Sequence, residues 1–288
     1  AFPFHSGSPA PSCGWKAIPD ITRRTDRGAA NYDVHLSHLS HLSHLPHLPH
    51  LQHNHRPFPG CPLAMINDTR HLTPAPDRVI LLTGFDPFGG DPLNPSWLIA
   101  QALHGQHIGG HRVVAAQLPT VFGLSLQRLA ALVHAHQPVL TVCLGLAGGR
   151  SALSLERIGI NINDARIPDN TGAQPIDTPV ATEGPAAYFA SLPIKAMLRA
   201  VQRAGLPCEV SQTAGTFVCN HVLYGLMHLL AQGAGPAGAR GGFVHVPWLT
   251  GQGAPHLPLR DMVRGIHAAL WAAVLAPQDI TLQAGATH

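Results

Sequence analysis

VILLTGFDPFGGDPLNPSWLIAQAL, residues 79–103, is the stretch that decides the fold. VILLT (79–83) is a short apolar run ending at Gly84, the pattern of a strand buried on both faces. Gly and Pro then fix the turns of the loop GFDPFGGDPLNPSW (84–97). Asn94-Pro95 has the form of an N-cap followed by Pro at the first helical position, so a helix is expected over 95–103.

The same alternation continues outward. Apolar runs at 112–118, 139–144, 155–162, 208–212 and 241–246 read as strands. Helical periodicity marks 123–136, 194–204 and 258–275. One further helix starts inside TAGTFVCNHVLYGLMHLL (213–230). Strands alternating with helices give an α/β sheet with helices on both faces. In such sheets functional groups gather beyond strand ends, where the loops 84–94, 145–150, 213–216 and 247–257 begin. The polar segment 163–179, NDARIPDNTGAQPIDTP, is too long to be a mere connector, and long ordered loops are often functional.

Residues 1–76 differ from all of this. They are rich in Pro, Ser, His and Arg, and His recurs at every third position from His35 to His53. That period fits neither a strand nor an α-helix, and the composition reads as a disordered low-complexity extension to a domain spanning 77–288. A metal-binding tract is the rival reading, because closely spaced imidazoles bind transition metals.

The bulk composition narrows the function. Of 288 residues, 45% are hydrophobic and only 11% charged, which suits a large buried core. A net charge of +3 without clustering, and few aromatics, argue against a nucleic-acid partner. No uninterrupted apolar run of about 18 residues occurs, so no membrane span is expected. Five cysteines without a C-x-x-C spacing point to a reducing, cytoplasmic setting rather than to a disulfide framework or a zinc site.

Cys219 is the candidate nucleophile. It follows a Gly/Thr-rich turn and falls in the first turn of a helix, where unpaired N–H groups and the helix dipole favour thiolate. Such a nucleophile needs a base and an orienting third group. His245 ends a strand, and the chain between it and Cys219 is long enough for a helix out and a strand back. His221 points to another side of the helix, and His134 and His136 suit a helix end. For the orienter, Glu156 at the start of the 155–162 strand competes with Asp164 and Asp169. Arg150, Arg157 and Arg166 lie around the same loops. Solvation is the simple reading of each, but Arg166 stands between Asp164 and Asp169, where pairing would shape the loop. Phe85 and Phe88, with Phe217 as a third wall, are core plugs or the sides of a ligand pocket.

LLTGFDPFGGDPLNPSW (81–97), GLAGGRSALSLERIGININDARIPDNTGAQP (145–175), SQTAGTFVCNHVLYGLMH (211–228) and GGFVHVPWL (241–249) resemble pyroglutamyl-peptidase I, in that family's order and spacing. The resemblance implies one three-layer α/β/α domain with a central twisted, mostly parallel sheet. It implies a cysteine peptidase that removes N-terminal pyroglutamate from small peptides, without cofactor or metal, and that forms a homodimer or homotetramer. It gives Cys219, His245 and Glu156 the roles of nucleophile, base and acid. Arg166 matches a supporting arginine, and Phe85, Phe88 and Phe217 match the lining of the pyroglutamyl pocket. Leu146 stands where many bacterial relatives carry Gln, and so bears on lactam recognition. Nucleoside phosphorylases share the general architecture, and Gly-rich loops with arginines would cradle phosphate. That reading leaves Cys219 and His245 without a part.

Overall fold

The computed structural model describes residues 78–285. The low-complexity extension and its His tract therefore lie outside the described residues.

A seven-stranded sheet forms the centre, in the order β2-β3-β1-β4-β9-β5-β8. Its strands are β1 (Arg78–Phe85), β2 (His107–Ile108), β3 (His111–Leu118), β4 (Leu140–Leu146), β5 (Leu153–Glu156), β8 (Cys208–Ser211) and β9 (Arg240–Val246). β1 pairs in parallel with β3 and β4, β4 with β9, and β5 with β8. β2–β3 and β5–β9 are antiparallel, so the sheet is mostly parallel, as expected.

Side chains alternate across the sheet and make two cores. Ile80, Leu82, Val142 and Leu144 pack against α1 (Pro95–Leu103), α3 (Ile194–Arg203) and α5 (Leu259–Leu275). Val79, Leu81, Cys143 and Phe243 pack against α2 (Leu124–His136) and α4 (Val218–Ala231) on the other face. This alternation is why the central strands read as unbroken apolar runs. No helix among the described residues is long and apolar enough to cross a membrane.

The start of α1 forms as the Asn-Pro signal requires. Asn94 is extended and its Oδ1 accepts from the Ser96 N–H at 3.1 Å and the Ser96 hydroxyl at 2.7 Å. Ser96 Oγ in turn accepts from the Phe85 N–H at 2.9 Å, locking the end of β1 to the helix start.

The expected strand over 155–162 is two strands. β5 ends at Glu156, and β6 (Ile158–Ile160) pairs instead with β7 (Ala187–Phe189) in a separate two-stranded sheet. The break is at Arg157, whose N–H bonds to Ser211 O and whose carbonyl accepts from the Ala190 N–H. Glu156 thus closes a strand rather than opening one. A last two-stranded pair, β10 (Trp248–Leu249) and β11 (His256–Leu257), follows β9.

The chain moves from β1 to β3 on one side and returns to β4 on the other. Open α/β sheets have their crevice at that reversal, outside the C-terminal ends of the strands. Phe85 ends β1 and Leu146 ends β4, and the site lies there.

Candidate active site

The first turn of α4 carries Cys219 on to the sheet. The preceding turn is fixed by Gly215, at φ 77°, and by Thr216, whose hydroxyl donates to Asp164 O at 2.6 Å. The first intrahelical bond runs from the His221 N–H to Phe217 O at 3.1 Å, so the N–H groups of Val218, Cys219 and Asn220 precede it. Cys219 Sγ rests on the backbone of Gly145. A Cβ at that position would lie 2.9 Å from the sulfur and 2.7 Å from Phe243 Cζ. Gly145 is the residue paired with His245 across β4–β9, so the thiol is delivered to the strand end that carries the imidazole.

His245 and Glu156 are buried and bonded to each other, Nδ1 to Oε1 at 2.7 Å. Glu156 reaches this point from β5, the antiparallel neighbour of β9. A carboxylate on Nδ1 leaves the proton there and the Nε2 lone pair free in the neutral ring. Burial holds the His245 pKa below its ordinary value against the opposing pull of Glu156.

The same Glu156 oxygen accepts from Arg150 Nη1, also at 2.7 Å. Arg150 is therefore no solvated bystander. Its reach to Glu156, six residues further along the chain, leaves no mark in the sequence pattern.

Burial opposes the expected thiolate. Desolvation first, and the Glu156 carboxylate second, push the Cys219 thiol up to about 12, with Arg150 pulling the other way. Cys219 is half-buried, and its residual exposure to the pocket tempers that rise. Burial therefore works against the pull that the helix start exerts toward thiolate.

Next to Cys219 is a pocket of about 320 Å³, counting its open mouth. Phe85, Phe88, Leu146, Phe217 and Val218 line it, with Asn94 and Thr120 as polar members that sequence reading missed. Phe88 and Phe217 pack with ring centroids 5.6 Å apart, and Phe122 backs Phe217 edge-on at 5.3 Å. Phe85 is both wall and plug, since it is buried in the core against Phe243. The Asp86 carboxylate fixes Thr120 through its N–H and its hydroxyl, both at 2.7 Å.

Arg166 does not shape the long loop as expected. It is exposed, and the Asp169 carboxylate takes the backbone N–H groups of Phe122, Thr171 and Ala173 instead. These bonds hold Asp169 below its ordinary pKa, although its own desolvation opposes them. Asp164 contributes through its backbone, which pairs with Thr216. Neither rival to Glu156 meets His245.

The Pyroglutamyl peptidase family profile matches residues 78–276, most of the chain. The chain belongs to the pyroglutamyl peptidase family. A pyrrolidone-carboxylate peptidase of Cupriavidus pinatubonensis is 53% identical over 216 residues, covering 73% of this chain and 100% of that one. A Streptomyces coelicolor protein of the same name is 52% identical over 215 residues, covering 73% and 99%. Among solved structures, pyroglutamyl peptidase I of Bacillus amyloliquefaciens superposes with a TM-score of 0.68 at 43% identity, covering 71% of this chain and 100% of that one. The Thermococcus litoralis pyrrolidone carboxyl peptidase gives 0.68 at 33% identity, covering 72% and 99%. The matched span of this pyroglutamyl peptidase family member holds all the residues of the pocket and of the Arg150–Glu156–His245 chain.

Proposed function

We propose that this chain is a cysteine peptidase that releases N-terminal pyroglutamate from small peptides, with Cys219 as nucleophile, His245 as base and Glu156 as orienting acid. The observation that carries the reading is that Cys219 lines the pocket with its sulfur against Gly145, the residue paired across β4–β9 with His245, which is bonded to Glu156 from the end of β5. The substrate ring is flat, neutral and half apolar, and a pocket walled by Phe85, Phe88 and Phe217 suits it.

In this reading Cys219 Sγ attacks the pyroglutamyl carbonyl while its proton passes to His245 Nε2. Proton transfer to the imidazole activates the sulfur, and Glu156 stabilises the imidazolium that results. The tetrahedral oxyanion meets the N–H groups at the start of α4. Its collapse breaks the scissile C–N bond as His245 protonates the departing amine. Water, deprotonated by His245, then hydrolyses the thioester and returns the thiol. Arg166 is assigned a supporting part through its match to the family's arginine, from an exposed position on the long loop. Leu146 supplies apolar contact to the ring where a Gln would supply a hydrogen bond.

The domain at 77–288 carries this activity, the first 76 residues are a separate extension, and the enzyme works in the cytoplasm as a homodimer or homotetramer. The test is release of the chromophore from a pyroglutamyl amide, with the matching prolyl amide as control. Turnover of the pyroglutamyl amide alone, abolished by iodoacetamide, is expected. Equal turnover of both amides, or indifference to alkylation, contradicts the reading. A phosphorylase would survive the alkylation.

A further inference from the structure

We propose that Arg150 is a positioning residue for this reaction: it holds the Glu156 carboxylate in the orientation that His245 needs and ties that acid to the turn leading into the nucleophile helix. The inference rests on the assignment of Cys219, His245 and Glu156 made above.

Glu156 has no exposure, and His245 Nδ1 and Arg150 Nη1 converge on one of its oxygens, Oε1. Oε2 has no hydrogen-bond partner among the described residues. The terminal torsion of a glutamate is soft, so a carboxylate held through a single oxygen keeps its orientation only when that oxygen is held from two directions. Arg150 is the second direction. It also supplies a full positive charge to a buried anion, whose isolation would be costly.

The other arm of the same guanidinium, Nη2, donates to Thr213 O at 3.1 Å. Thr213 opens the turn that feeds Cys219 into α4, so one side chain joins the acid on β5 to the approach of the nucleophile. The arginine is itself held. Its N–H closes a turn on Ala147 O, and in that turn Gly148 sits so close to the Trp248 ring that a Cβ there would collide with it.

The charged and titratable groups facing the thiol and the imidazole are Glu156 from β5, Arg150 from the 147–150 turn, and Cys143 from β4. Glu156 raises both the thiol and the imidazole, and Arg150 lowers both. Loss of Arg150 therefore moves the two groups upward together, which loss of packing alone does not do.

The experiment measures two quantities against pH in the full-length wild type, R150A, R150Q and R150K. One is kcat and KM for a chromogenic pyroglutamyl amide, and the other is the rate of Cys219 alkylation by iodoacetamide. R150A and R150Q are expected to lose roughly tenfold to a hundredfold in kcat with little change in KM. The acidic limb of the rate profile and the alkaline rise of alkylation should both move to higher pH. R150K should restore the position of both limbs and most of kcat. R150Q keeps bulk and a hydrogen-bond donor, so the comparison does not depend on R150A folding. Unmoved limbs in R150Q, or an R150K as impaired as R150Q, overturn the proposal. If the wild type fails to hydrolyse the amide while the alkylation rise still shifts in R150Q, the peptidase assignment falls and the hold of Arg150 on the thiol stands.

Discussion

Cys219, Asn220 and His221 are consecutive, yet each faces a different neighbour because successive helical residues turn by about 100°. Cys219 opens to the pocket. Asn220 is buried and bonds twice to β6 and once just beyond it, accepting from the Ile160 N–H and donating to Ile160 O and Ile162 O, each at 2.9 Å. His221 bonds Asn163 Oδ1 through Nδ1 at 2.9 Å and accepts the Gly123 N–H on Nε2 at 3.0 Å. Its role is to pin loops, and burial pushes its pKa down to about 4. The unfolded chain then binds a proton that the fold refuses. Stability from this group is complete above pH ~6.5 and is lost as pH falls toward 4. The shift corresponds to about 3 kcal/mol, with His245 adding the same sign. Urea unfolding across that range should show stability climbing with pH, and His221→Gln should flatten the slope. An unchanged slope in the variant contradicts this assignment. Cys219 was legible in the sequence because a cysteine after a Gly/Thr turn and before an apolar helix is conspicuous. The opposing effect of burial and of Glu156 was not, because Glu156 comes from a distant strand.

Among the elements, the junction of β4 with α4 decides whether the nucleophile can reach its base. Gly145 makes room for Cys219 Sγ and the Phe243 ring at the same point. Gly145→Ala should therefore displace the sulfur, lowering kcat/KM roughly 10- to 100-fold, with stability falling by about 1–3 kcal/mol. Steady-state kinetics and thermal unfolding by circular dichroism check both, and full activity would show that the sulfur does not depend on this gap. Strands β1, β4 and β9 were readable as apolar runs, and His245 was readable as a strand end. Glu156 could not be chosen over Asp164 and Asp169 from spacing, because spacing does not reveal that β5 runs antiparallel to β9. The adjacent Glu156 and Arg157 shift the alternation by one residue at the point where the chain leaves the main sheet, a break that the single expected strand over 155–162 passed over. β7 is three residues with an exposed Phe189, too short and too open to register as a strand.

Over the whole molecule, the sheet gathers the site from points far apart in the chain. Phe85 and Phe88 come from the end of β1 and its loop, Leu146 from β4, Glu156 from β5, Cys219 from α4 and His245 from β9. No segment holds the chemistry alone, which is why the four family motifs in order carried more than any one of them. The helices on both faces bury the sheet, and the crevice at the chain reversal is left for a small, half-apolar ring. The central claim is that Cys219 performs the attack there. Its most direct test is turnover of a chromogenic pyroglutamyl amide by the wild type and by Cys219→Ala, with unchanged thermal unfolding as the control for folding. The wild type should release the chromophore and Cys219→Ala should not. Retained turnover in a folded Cys219→Ala would contradict the account.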